Sequence, residues 1–391
     1  MIGGGMQRTV EKVFFALIRF EINGDELCDE VKNLITLEML PALFKLSKRH
    51  DLAHLIGDAL EKNGLLPDGS EAKKRFLQER NMAVYRYEQI QYEFKQICET
   101  LENAKVPFIP LKGSVIRKYY QEPWMRTSCD IDILVKKEDI EKATIVLKQK
   151  LSYEEGTTGS HDVNLFAPSG VHLELHFSLA ETEGKWKAIL EDVWTQKCEE
   201  WKYQFVMSNE LLYFYHIVHM AVHMRTGGCG IKPFLDLQIL HHHITYNREG
   251  LEELLRKGGL LNFEREAVGL SNAWFLGDKL SETGDSLRQY VLYGGVYGTL
   301  ENKVAVQQIK TGGKVAYLFS RIFVGFQELS IKYPSLKKHK WLFPFYQVYR
   351  WFDLLINKKS RQYTKATIHQ TRNTTDERLQ LTEKLFQEIG L

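Results

Sequence analysis

Two carboxylates separated by one isoleucine, Asp130-Ile131-Asp132, are the clearest chemical feature of this chain. They sit in the run Cys129-Asp130-Ile131-Asp132-Ile133-Leu134-Val135, whose alternation and β-branched residues predict a strand. Residues two apart on a strand project to one side, so both acids face the same way. A third acid, Glu174, lies between Leu173 and Leu175 in another strand-like run, and it joins the pair if the sheet is arranged accordingly. Three carboxylates at close range repel one another unless cations neutralise them. Hard oxygen donors of this kind suit Mg²⁺ or Mn²⁺. Two such ions can activate an attacking oxygen and stabilise the leaving oxygen of an in-line displacement.

A second motif complements the first. Lys112-Gly113-Ser114 falls between a short apolar run and a helical piece. Glycine lets backbone approach a phosphate closely, and the first N–H groups of a helix point at such a ligand. The Ser114 hydroxyl can donate to the same oxygens, and Lys112 can neutralise them or stand as a solvated strand end. Arg126, just before the acidic strand, can grip phosphate oxygens, pair with an acid of the site, or form an ordinary salt bridge. His176 is in phase with Glu174 and, like His161, is open to nucleotide or acceptor contact or to a structural role. His216, His219 and His223 share one helical face and His241-His242-His243 follow. No HExxH accompanies them, so satisfied or exposed histidines are the expectation, not a zinc site.

Behind these residues stand the elements that must position them. Residues 10–105 carry apolar residues three and four apart, the pattern of helices, with a long helix over 71–104. At Val106 the texture changes to a short strand, the Gly-Ser turn, a helical piece over 115–120 and the acidic strand. A helix over 137–151 follows, then a loop over 156–159. Residues 161–167 and 171–177 flank Pro168-Ser169-Gly170 as a hairpin. From about Asn209 the pattern is helical again, with candidate helices over 211–225 and 233–243 joined by Gly227-Gly228-Cys229-Gly230. The expected fold is therefore α+β, a small mixed-sheet core over 106–205 flanked by helical regions over 1–105 and 206–391.

Composition narrows the class. The 391 residues hold 52 Lys plus Arg against 50 Asp plus Glu, so the net charge of +2 does not by itself imply a polyanionic partner. Five scattered cysteines without a CxxC pair fit reduced thiols, and so a cytoplasmic protein. No stretch is long and apolar enough to span a bilayer, and the apolar run over 13–22 is broken by Arg19 and Glu21 and lacks a cleavage site after it.

The order strand, Gly113-Ser114, helix, Asp130-Ile131-Asp132, then Glu174 on a later strand resembles the DNA polymerase β-like nucleotidyltransferase superfamily. Within it the chain resembles the bacterial uncharacterised nucleotidyltransferases, most clearly in LKGSVIRKYYQEPWMRTSCDIDILV and VHLELHFSL. That resemblance implies transfer of a nucleoside monophosphate from an NTP such as ATP to an acceptor, with release of pyrophosphate. It implies triphosphate contact by Gly113 and Ser114, and metal binding by Asp130, Asp132 and Glu174, the last also helping to deprotonate the acceptor hydroxyl. It adds Asp236 as a supporting or acceptor-side group. The longer gap between Gly-Ser and the Asp pair reads as an inserted loop carrying Arg126.

The segment from Lys303 to Lys365 is rich in Lys and Arg, opposed only by Glu328 and Asp353, with Trp341, Phe343, Phe345, Tyr346, Tyr349, Trp351 and Phe352 interleaved. Nucleic-acid contact or an interfacial membrane helix would use such a mixture; the expectation is a core-packed aromatic helix with a cationic outer face. A small acceptor is favoured slightly over nucleic acid or protein. The competing functions are a non-catalytic nucleotide- or nucleic-acid-binding protein and a metal-dependent phosphohydrolase.

Overall fold

A computed structural model describes residues 4–179, 184–191, 193–296 and 298–391. The N-terminal part is helical, ending in the 33-residue helix Glu71–Asn103. Ser70 caps it by accepting a hydrogen bond from the Lys73 N–H at 3.1 Å, and it runs without interruption. At 1.5 Å per residue it is about 50 Å long, enough to serve two cores. Phe76 near its start belongs to the larger core, whereas Ile90, Ile97 and Leu101 near its end lie under the sheet.

The sheet has strands β1 (Phe108–Pro110), β2 (Asp130–Val135), β3 (Glu154–Thr158), β4 (Asp162–Phe166) and β5 (His172–His176), in the order β1-β2-β5-β4-β3. The β2–β5 pair is parallel and the other pairs are antiparallel. The parallel pair fixes the site: Asp130 lies opposite His172, Asp132 opposite Glu174, and Leu134 opposite His176. One face of the sheet is thereby polar. The other carries Ile131, Ile133, Val135, Val163, Leu165, Leu173 and Leu175, packed on the Glu71–Asn103 helix and on Ala143 and Leu147 of the helix Ile140–Leu151.

The expected hairpin of β4 and β5 is present, and the residues expected as a loop over 156–159 lie mostly in β3. The signal was weak for a physical reason. β3 is an edge strand with every residue exposed and an irregular register between Glu155 and Thr158, so it lacks the alternation that a buried face imposes.

C-terminal to the sheet the described residues are helical apart from a short strand pair, Gln196–Lys197 with Phe205–Val206. Helices Asn209–Thr226, Lys232–His243, Arg248–Gly258 and Leu261–Phe275 share the larger core with the N-terminal helices. The result is an α+β fold, a small mixed sheet flanked by helices. Among the described residues no helix is long and apolar enough to cross a membrane.

The aromatic C-terminal segment departs from expectation. Phe345, Tyr349 and Phe352 on the helix Phe343–Ile356 are exposed, as is Trp341 before it, and only a small satellite cluster around Val324, Leu329 and Leu336 packs there. The helix turns its polar side inward: buried Arg350 donates from Nη2 to the Arg321 carbonyl at 2.7 Å and from Nη1 to the Ile322 carbonyl at 3.2 Å. Buried Gln347 bonds the Val324 carbonyl.

Candidate active site

Strand alternation carries the acids to one face, and strand pairing brings them together. The register places Asp130 and Asp132 of β2, His172, Glu174 and His176 of β5, and Asp162 and Asn164 of β4 on the same side. Asp132 is buried at the centre, where its Oδ1 accepts from Lys112 Nζ at 2.9 Å and from His176 Nε2 at 2.9 Å. His176 Nε2 also lies 3.5 Å from Glu174 Oε2.

These contacts set the charges. Burial would raise the Asp132 carboxyl, but the Lys112 ammonium and the His176 hydrogen bond hold it well below the usual range. Burial alone would lower His176, but its hydrogen bonds to Asp132 and Glu174 outweigh that and raise it to about 9. Asp130 goes the opposite way: burial and the charges of Asp132 and Glu174 push its carboxyl up, against Lys112 and Arg126. The two cations thus converge on Asp132, and Asp130 remains electrostatically under-compensated.

Two sets of donors able to hold a metal ion share Glu174. One is Asp130, His172 and Glu174; the other is Asp132, Glu174 and His176, whose ring would have to give up the proton it shares with Asp132 before ligating; in each the donor atoms lie within 4.8 Å of one another. His172 Nε2 donates to the Asn164 amide oxygen at 2.6 Å, leaving Nδ1 as the ring's lone-pair donor. A divalent cation fits this set by its chemistry, because hard oxygen donors predominate and one of them, Asp130, is destabilised by burial and by its neighbours' negative charge.

The Lys112-Gly113-Ser114 turn follows β1 and opens the short helix Gly113–Ile116. The positive φ, +47°, falls on Lys112 and not on Gly113. A methyl group on Gly113 would lie 3.5 Å from Arg117 Nη2, from Arg126 Nη1 and from Ser128 Cβ. Two guanidinium groups therefore flank the turn. Arg117 is buried, donating from Nε to the Gly113 carbonyl at 2.9 Å and from Nη2 to Ser128 Oγ at 2.7 Å. Burial and the nearby Arg126 lower it to about 10, so it stays charged at neutral pH.

Half-buried Arg126 forms an ion pair with buried Asp236 of the Lys232–His243 helix. Its Nε and Nη2 reach the two carboxylate oxygens at 2.8–3.0 Å, and its Nη1 donates to the Thr127 carbonyl at 2.6 Å. Tyr120 donates to the same carboxylate at 2.7 Å. Burial opposes the Asp236 charge, but Arg126 holds it below the usual range. Two further contacts fasten this loop from both sides. Lys232 Nζ bonds Thr127 Oγ1 at 2.8 Å and pairs with Asp51, and His54 Nε2 bonds the Met125 carbonyl at 2.7 Å. The loop between the turn and the acidic strand is thereby fixed to helices on both sides of it in sequence.

His161 stacks on His176 with ring centroids 5.8 Å apart. His216 hydrogen-bonds the Pro233 carbonyl at 2.8 Å, as expected for a satisfied histidine. His219 and His223 meet through Nε2 at 3.0 Å, and they belong to no metal-ligand group among the described residues.

Sequence reading missed His172, Asn164, Arg117, Lys232 and Asp51. The alternation His172-Glu174-His176 was a usable signal for the first. Lys232 has polar partners 105–181 residues away, on elements whose juxtaposition only the fold provides, whereas Arg117 bonds to Gly113 and Ser128, 4 and 11 residues away.

The structure thus sets an acidic sheet face beside a Gly-Ser turn flanked by cations. The chain belongs to the uncharacterised nucleotidyltransferase family, whose family model matches residues 39–276. No curated protein and no solved structure matches it.

Proposed function

We propose that the protein transfers a nucleoside monophosphate from an NTP to an acceptor hydroxyl, releasing pyrophosphate, with Mg²⁺ or Mn²⁺ held by Asp130, Asp132 and Glu174. In this reading residues 106–205 form the catalytic core. The observation that carries it is the sharing of Glu174 between two donor sets on a face where Asp130 is raised by burial and by its neighbours' charge. A bound divalent ion would supply charge neutralisation and acidify a coordinated oxygen.

The chain's own groups do the rest. Lys112, Arg117 and Arg126 place three positive charges around the Gly113-Ser114 turn, where a triphosphate would bring its negative oxygens. Because Arg126 is tied to Asp236, its part is to border the turn and hold the loop, and Asp236 supports it from beneath. Glu174, half-buried like Asp130, would take the proton of the incoming acceptor hydroxyl. His161 and His176 would line the same face. Membership of a nucleotidyltransferase family, the Gly-Ser turn and the ordered carboxylates together favour this over phosphohydrolysis or binding without turnover.

The test incubates purified protein with each α-labelled NTP, Mg²⁺ or Mn²⁺, and pooled cell extract. Label appearing on an acceptor, with equimolar pyrophosphate, supports the reading. Release of free nucleotide without a labelled acceptor would make the protein a hydrolase.

A further inference from the structure

The Phe343–Ile356 helix is amphipathic in the wrong sense for a soluble core. Its buried side carries Gln347 and Arg350, while Phe345, Tyr349, Phe352 and Ile356, spaced four, three and four residues apart, form an exposed stripe. Ile356 is 80% exposed and Phe345 64%. A second exposed stripe, Val315, Phe319 and Ile322, runs along the helix Lys314–Ile322. The two are joined: Phe319 stacks on Phe323, Phe323 packs edge-on against Trp351 at 5.6 Å, and Trp351 Nε1 donates to the Ile322 carbonyl at 2.8 Å. Single exposed apolar residues are ordinary, but two contiguous stripes are not.

Charge frames the patch. Between Lys303 and Lys365 there are thirteen Lys and Arg residues and only two acids, one of which, Asp353, pairs with Lys332 at 2.9 Å. Exposed Lys337, Lys338 and Lys340 precede the stripe and exposed Lys358 and Arg361 follow it. A second copy of the chain is a poor occupant, because two strongly cationic rims would face each other. Nucleic acid would match the charge and stack on the aromatics, but it offers nothing to Val315, Ile322 and Ile356. An anionic lipid surface suits both parts: acyl chains take the aliphatic and aromatic side chains, and headgroups meet the basic rim.

We infer that this C-terminal face is a peripheral docking surface for anionic membranes, seating the two helices in the interface without crossing it. The inference stands independently of the catalytic reading, since lipid binding is measured without substrate.

The test floats the full chain with vesicles of phosphatidylcholine, alone or mixed with phosphatidylglycerol. Binding to the mixed vesicles only, weakened by salt, is the expected result. Joint Lys337→Gln, Lys338→Gln and Lys340→Gln substitution should weaken partitioning about a hundredfold, since each basic residue near the surface contributes about fivefold. Joint Phe345→Ser, Phe352→Ser and Ile356→Ser substitution should weaken it at least as much, and Ile356→Ser alone should do so measurably while leaving the urea midpoint unchanged. Failure of the wild type to float with either vesicle overturns the inference, as does equal flotation of the serine variants. Tight RNA binding that survives the serine substitutions, with no flotation, would make the face a nucleic-acid surface instead.

Discussion

On the polar face of the sheet, charged groups lie where apolar ones would be expected; on the Phe343–Ile356 helix, apolar groups lie where charged ones would be expected. At the sheet, Asp132 and His176 are buried and mutually bonded, and the strand on which Asp132 sits otherwise packs inward. At the helix, Arg350 and Gln347 are buried on backbone carbonyls while Phe345 and Ile356 meet solvent. The first region lies within residues 39–276, where the chain matches its family, and the second lies beyond them. Departures from inside-out patterning concentrate where a protein meets ligands. The two regions depart in ways that call for different ligands, a divalent cation with a polyphosphate at one and an apolar anionic surface at the other.

The largest effect is expected at the sheet. Asp130→Asn and Asp132→Asn should each reduce nucleotide transfer on the order of a thousandfold or more, measured with labelled NTP once an acceptor is found. Their stabilities should part company. The sequence alone suggests that removing either charge relieves repulsion, but Asp132 anchors both Lys112 and His176. Asp130→Asn should keep or raise the melting temperature, and Asp132→Asn should lower it. Equal melting shifts in the two variants would break the claim that these neighbouring acids have opposite electrostatic environments.

Next comes the ion pair that fastens the site loop. Asp236→Ala leaves the largely enclosed Arg126 guanidinium without its buried carboxylate and should cost about 3 kcal/mol in urea unfolding. A loss under about 1 kcal/mol, the range of an exposed pair, would mean that the loop does not depend on Asp236.

The helical surroundings should show a pH dependence of their own. His50, His54 and His216 are each lowered to about 4 by burial, against the hydrogen bonds they make to the Leu292, Met125 and Pro233 carbonyls. Their folded values lie below the unfolded one, so between about pH 6.5 and 4 the unfolded state binds more protons. Stability contributed by keeping them neutral is complete above about pH 6.5 and is lost as pH falls, at up to about 1.4 kcal/mol per pH unit for each ring. Urea midpoints across that window test it. Triple replacement by Gln should flatten the slope, and an unchanged slope would contradict the assignment.

The smallest effect is expected at the exposed helix face, where Phe345→Ser or Ile356→Ser should shift stability by less than about 0.5 kcal/mol. A larger loss in thermal unfolding would show those side chains to be packed and would erase the contrast with the sheet.

Much of the candidate site's geometry was legible because it is local. Asp130-Ile131-Asp132 declares a strand and a shared face in three residues, and the β4–β5 hairpin follows from Pro168-Ser169-Gly170 between alternating runs. What escaped depends on distance or on missing burial. Strand β3 is exposed along its whole length and leaves no alternation to read. Asp51 and Lys232 are 181 residues apart, so nothing local marks them as partners. At the Gly-Ser turn the motif suggested that glycine sets the backbone, but the positive φ belongs to Lys112, which the fold holds there through Asp132. At the C-terminus the aromatic content suggested a packed helix, whereas Gln347 and Arg350 bond to carbonyls of the preceding segment and turn the apolar face outward.

The central claim is that the shared carboxylate face holds divalent metal, and Mn²⁺ binding measured by electron paramagnetic resonance tests it most directly. With a non-hydrolysable NTP analogue present, wild-type protein should remove free Mn²⁺ signal saturably, and Asp130→Asn and Glu174→Gln should each lose most of that uptake while keeping native circular dichroism. Uptake of the same stoichiometry and affinity in both folded variants would place the metal elsewhere and contradict the account.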